Sequence, residues 1–65
     1  MYLCNYNFGN DTQEIRRDKD GVKLGHLDFK SRELAVEKIA TQEETDKLKR
    51  IARILRFEVY EESNV

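Results

Sequence analysis

The chain contains no proline and no tryptophan, and only one cysteine, one histidine and three glycines among 65 residues. With neither proline nor glycine-rich stretches it lacks the composition of a disordered linker, and a folded chain is expected. A single cysteine, Cys4, cannot close an internal disulfide, whereas short secreted domains usually carry several. The chain therefore reads as a protein of a reducing, cytoplasmic compartment. Cys4 and His26 are its only thiol and imidazole, too few for the ligand set of a structural zinc site. Asp18-Lys19-Asp20-Gly21 has the look of the centre of a calcium loop, but Arg16 and Leu27 stand where that loop needs its first acid and its bidentate acid. No metal and no cofactor are expected. The apolar runs are short, as at Tyr2-Leu3-Cys4 and Leu34-Ala35-Val36. A bilayer span takes roughly twenty such residues and a signal h-region at least about seven, so no membrane segment or export signal is read here.

What the chain has in quantity is charge. Twelve Lys and Arg stand against thirteen Asp and Glu, so charged residues make up 38% of the sequence, as do hydrophobic ones. The formal net charge of -1 excludes the whole-molecule fields of a nucleic-acid coat protein or a bulk charge mimic. Any electrostatic function must be local. At this length a single small core is expected, too thin to enclose a large substrate cavity. In such a core apolar burial barely exceeds the ordering entropy, and with no disulfide or metal the common remaining staple is association. A homodimer or a protein partner is the expected consequence.

Residues 1–8 alternate, with Tyr2, Cys4, Tyr6 and Phe8 on one side, which is the period of a half-buried strand. Gly9-Asn10-Asp11 marks a turn. From Thr12 to Asp20 the only apolar residue is Ile15, and two readings stand: a short helix capped by Asp11 and closed by Gly21, or a strand over 13–17 joined through an Asp-Lys-Asp-Gly turn to a strand over 22–29. The hairpin is preferred because Val22, Leu24 and His26 alternate with Lys23 and Gly25. Leu27 and Phe29 have the opposite parity, and a bulge at Gly25 would provide the switch of face. Beyond Ser31, a plausible N-cap, Ala35 and Ile39 lie four apart, giving an expected helix over 32–40. Thr41-Gln42-Glu43-Glu44 has capping-box spacing and opens a second helix over 42–56, with Leu48, Ile51, Ala52 and Leu55 on one stripe. Continued as helix, the chain would expose Phe57 and Tyr60, so a last strand over 57–61 is favoured. The expected architecture is α+β: one domain over 1–62, antiparallel strands followed by helices packed on them, with a frayed C-terminus at 63–65.

No phosphate-cradling glycine loop or serine nucleophile elbow is present. A Cys4/His26 pair, or His26 held by Asp28, would be the only nucleophile chemistry, and a thiol on a strand lacks the helix N-terminus or cationic pocket that activates it. The chain is read as non-enzymatic, with no catalytic residue and no small-molecule substrate. Its most concentrated feature is the basic face of the second helix, Lys49, Arg50, Arg53 and Arg56, opposite the apolar stripe. That face would suit phosphates, or an acidic patch on a protein. It also complements the helix dipole, with Glu43, Glu44 and Asp46 in the first turns and i,i+4 pairs Glu43–Lys47 and Asp46–Arg50. The aromatics Tyr2, Tyr6, Phe57 and Tyr60 are candidate interface residues, though aromatics of so small a domain often belong to its core.

Residues Leu48 to Leu55 followed by Phe57-Glu58-Val59 resemble the last helix of phage-repressor-type helix-turn-helix domains. The preceding turn and recognition helix are missing, so nothing is carried over from that likeness. Short, motif-poor chains of this style also resemble accessory proteins of phages and mobile elements. The function expected from the sequence is that of a small regulator that modulates or inhibits a larger protein through a protein-protein interface and self-associates. The alternatives are a nucleic-acid-binding regulator using the basic helix face and a structural subunit of a larger assembly.

Overall fold

Alternation of apolar and polar residues and four turn sequences lay out the sheet. In the computed structural model, which describes residues 1–61, the strands are β1 (Tyr2–Asn7), β2 (Thr12–Arg16), β3 (Lys23–Asp28), β4 (Glu33–Val36) and β5 (Glu58–Glu61), with one helix, α1 (Gln42–Leu55), between the last two. They form one sheet in the order β1-β2-β3-β4-β5, antiparallel as far as β4 and parallel between β4 and β5. The protein is thus α+β, with N-terminal strands packed against a C-terminal helix. The expected frayed end at 63–65 lies outside the described residues.

The hairpin reading of 12–29 holds. Arg17 and Val22 close the β2–β3 turn by a backbone bond of 2.9 Å, Gly21 adopts φ 71, and the Asp20 carboxylate accepts the Val22 N–H at 3.1 Å. The switch of face also occurs. Ile15 pairs with Gly25 and Arg16 with Lys23, so Leu24 is the extra residue of a β-bulge. Leu24 and Leu27 both reach the core as a result. His26, read from sequence as sharing a face with Leu24, instead turns to the opposite face with Lys23. Gly25 is required there for a second reason: a Cβ at this position would lie 2.2 Å from the Ala35 carbonyl oxygen.

The N-terminal strand departs from simple alternation. Asn5 is left-handed at φ 52, and the β1–β2 register slips by one residue between Cys4↔Glu14 and Asn7↔Thr12. Tyr6 therefore leaves the side shared by Tyr2 and Cys4 and stacks obliquely on Phe29, with ring centroids 6.3 Å apart. Phe8 lies in the following turn, 88% exposed.

The helix expected over 32–40 is not formed; its place is taken by β4. Two local features prevent it. The Asp28 carboxylate accepts the backbone N–H groups of Lys30 and Ser31, so Ser31 belongs to a turn rather than to a cap, and Arg32 is left-handed at φ 58. Leu34 and Val36 then alternate into the core opposite Leu27 and Gly25, which buries more than the Ala35/Ile39 spacing would; Ile39 stays 56% exposed.

The second helix begins at the capping box. The Thr41 hydroxyl accepts the Glu44 N–H at 3.2 Å and the Glu44 carboxylate accepts the Thr41 N–H at 2.9 Å. At the other end Arg56 turns left-handed and Phe57 N–H bonds the Ala52 carbonyl at 2.8 Å, so the chain leaves the helix and forms β5, as favoured from sequence. Leu48 and Ala52 seal the core of Ile15, Leu24, Leu27, Leu34 and Val36, with Ile51 and Phe57 packed at its rim. Only one face of the sheet is covered. Arg17 ties the helix to the sheet through a two-pronged bond to Glu44, Nε to Oε2 at 2.7 Å and Nη2 to Oε1 at 2.9 Å.

Gly25→Ala should cost on the order of 3 kcal/mol, because either β4 retreats or the bulge is lost; urea denaturation will read the loss. A second expectation concerns acid. Bonded first to Arg17 and also to Thr41, the Glu44 carboxyl falls from 4.5 to about 2 on folding. Its contribution is therefore present above pH 4.5 and lost as pH falls toward 2. Thermal melts across that window should show a fall in stability that is smaller in Glu44→Gln.

Candidate functional site

Strand parity decides which side chains meet on the uncovered face. Across the five strands the pairing runs Cys4↔Glu14↔His26↔Ala35↔Tyr60, a single row with His26 at its centre. The next row runs Thr12↔Asp28↔Glu33↔Glu58. Arg16 and Lys23 flank the row on its other side.

Most of the charge in the upper part of this face is held in place. Arg16 grips Glu14 with Nε at 2.9 Å and Nη2 at 2.7 Å, and its Nη1 donates to the Gly21 carbonyl. Asn5, held left-handed at the bulge, adds a bond to the same Glu14 oxygen. These contacts, that to Arg16 foremost, hold the Glu14 carboxyl below its ordinary range. Lys23 pairs with Glu37 at 3.5 Å. Asp28 is likewise lowered, chiefly by the Ser31 N–H of its turn.

Ala35 is small, so a hollow of about 340 Å³ opens above it, walled by His26, Tyr60, Asp28, Glu33 and Glu37. Tyr60 is 63% exposed at its edge. The His26 Nδ1 is shielded from solvent and has no hydrogen-bond partner among the described residues. Glu33 and Glu58 face each other directly, with Asp28 on the third strand, and none of the three has a cation within ion-pair distance among the described residues. Cross-strand like charges destabilise a sheet, so this row is held at a cost.

The pairs considered for nucleophile chemistry do not meet. Cys4 and His26 are separated by the whole of β2, about 10 Å at normal strand spacing. Among the described residues no group of three or more His, Cys, Asp or Glu side chains is arranged to hold a metal ion, and no helix is long and apolar enough to cross a membrane.

The basic helix face is on the opposite side of the molecule. Lys49 reaches Glu61 at 3.4 Å and Lys47 reaches Glu43 at 3.7 Å, while Asp46 accepts from Gln42 rather than pairing with Arg50. Arg50, Arg53 and Arg56 have no carboxylate within ion-pair distance among the described residues. Arg56 is the left-handed residue that ends α1, and Ile54, 75% exposed, borders the arginines on the side of Arg50 away from Arg53.

Of the four candidate aromatics, Tyr60 stands on the open face. Tyr2 is 42% exposed at the β1 edge, and Tyr6 at 40% donates to Asp11 and flanks Phe29. Phe57 turns inward, edge-on to Phe29 at 5.8 Å, and belongs with the core. Sequence reading missed the Glu14–His26–Ala35 row because the bulge at Leu24 shifts the parity of His26 and because Ala35 was expected on a helix.

No family model, curated protein sequence or solved structure matches this chain.

Glu33→Gln should stabilise the protein by several tenths of a kcal/mol, since it removes one of two directly opposed carboxylates. Equilibrium denaturation at neutral pH, compared with the same variant at pH 3, tests whether the gain is electrostatic.

Proposed function

We propose that the protein is a small non-enzymatic binding module that modulates or inhibits a larger protein, docking through the open face of its sheet. The observation that carries this reading is the row Asp28, Glu33 and Glu58 beside the exposed ring of Tyr60. These side chains stand on strands, so little ordering is needed on binding. A basic segment of a partner would relieve the opposed carboxylates and lay a cationic side chain over the tyrosine. A Tyr ring over a hollow, with carboxylates around it, is the composition of a binding anchor with its polar rim.

The competing reading places nucleic acid on Arg50, Arg53 and Arg56. Three guanidinium groups without carboxylate partners among the described residues favour it; the exposed Ile54 beside Arg50 and the pairing of Lys49 with Glu61 count against it. An acidic sheet face repels phosphate, so the two readings use opposite sides of the molecule.

Affinity capture from native lysate, with and without nuclease, asks about both. The same protein should be retained in both arms, and Tyr60→Ala should weaken its binding by about 2 kcal/mol, roughly 30-fold, while Arg50→Glu/Arg53→Glu has little effect. Retention that disappears with nuclease, falls steeply between about 50 and 200 mM salt and depends on the arginines would replace this reading with the nucleic-acid one.

A further inference from the structure

The β1 edge is a stretch of surface free of charged side chains. Residues 1–10 include no Lys, Arg, Asp or Glu, in a chain where 12 basic and 13 acidic residues are spread over the rest. The backbone of β1 pairs with β2 on one side only. Beside it the helix, which packs over β4 and β5, leaves an apolar groove of about 180 Å³ lined by Met1, Leu3, Ile15, Leu27, Ile51 and Leu55. Leu3 is 55% exposed and Leu55 43%. Exposed apolar surface next to an unpaired strand edge is a docking surface or an aggregation hazard, and natural sheets usually guard such edges with charge. The opposite edge is guarded in that way, with Glu58 and Glu61 on β5.

We propose that a second copy of this chain occupies the β1 edge, the two β1 strands pairing antiparallel about a two-fold axis at Leu3. Charge selects this occupant. A two-fold axis sets an edge against itself, so a charged edge meets its own sign, as Glu58 and Glu61 would, whereas β1 carries no charged side chain and its one charge, the Met1 ammonium, is paired with Asp18 at 2.6 Å and would lie opposite Asn5 of the second copy. In this register Leu3 faces Leu3 of the second copy on the helix side, where the two grooves merge, and Tyr2 faces Cys4 of the second copy on the open side. Asn5, left-handed at φ 52, ends the regular edge, so only Tyr2 to Cys4 contribute to the ladder and the groove side chains supply most of the association. Such an interface lies near or below the lower end of stable ones, about 1,200 Å², so a weak, reversible dimer is the expectation. It leaves Tyr60 and the acidic row uncovered on both copies, so it goes beyond the proposed function and can fail without it.

Sedimentation equilibrium of the full chain between about 1 and 500 µM should show a monomer–dimer equilibrium. Leu3→Asp should weaken it at least tenfold with an unchanged circular dichroism spectrum, and Ile39→Ser, at an exposed site in the turn before α1, should leave it unchanged. If Leu3→Asp does not fold, Leu55→Glu on the helix wall of the groove must give the same loss. A chain that stays monomeric throughout, or a dimer indifferent to both groove substitutions, overturns the proposal; neither result bears on the Tyr60-dependent capture.

Discussion

The close passage of β3 past β4 at Gly25 is the constraint from which the rest of the molecule follows. With no side chain there, the Ala35 carbonyl comes within 2.2 Å of where a Cβ would stand, and the two central strands close together. The bulge at Leu24 beside it turns both Leu24 and Leu27 toward the helix. The same step turns His26 away from them, to the middle of the uncovered face. One irregularity thereby builds the apolar side and the polar side of the sheet at once, and with seven buried core hydrophobics among the described residues few alternatives would pack.

The helix is attached at its two ends by different means. At its start Glu44 completes the cap on Thr41 and holds Arg17 from the β2–β3 turn, a contact across 27 residues that ties a local signal to a distant one. At its end Arg56 takes a left-handed conformation that costs an arginine more than a glycine, and the chain reverses into β5 with Phe57 on Phe29. Between these anchors the helix lies over β4 and β5. A single helix of this length cannot cover five strands, so the groove beside β1 is a geometric consequence of the topology.

The outcome is a molecule whose near-zero net charge conceals segregation. Carboxylates without cation partners among the described residues gather on the open sheet face, guanidinium groups on the outer side of the helix, and residues 1–10 carry no charged side chain. These three regions suit different contacts: a basic partner for the sheet face, a second copy for the edge, and water or an acidic neighbour for the helix. Rigid strands carry the first two, which is why both can be addressed by single substitutions without dismantling the core.

Reading the residues in order was enough wherever the decisive bonds were local. The turns at Gly9–Asp11 and Asp18–Gly21, the Thr41–Glu44 box, the Leu48/Ala52 stripe and the strand after Arg56 all rest on partners within a few positions of one another, and all were legible. The stretch 32–40 was not: Ala35 and Ile39 suggest a helix, and only the pairing of Leu34 and Val36 with Leu27 and Gly25 makes it a strand. The sheet face was hidden for the same reason. Alternation tells which residues oppose one another within a strand, but bulges at Asn5 and Leu24 reset it, and a bulge is chosen by the neighbouring strand. Local hydrogen bonding thus settled the turns, the helix α1 and the strand after it from the order of residues alone, while cross-strand packing, a contest among distant segments for one small core, made 33–36 a strand and decided which face His26 and Tyr60 share.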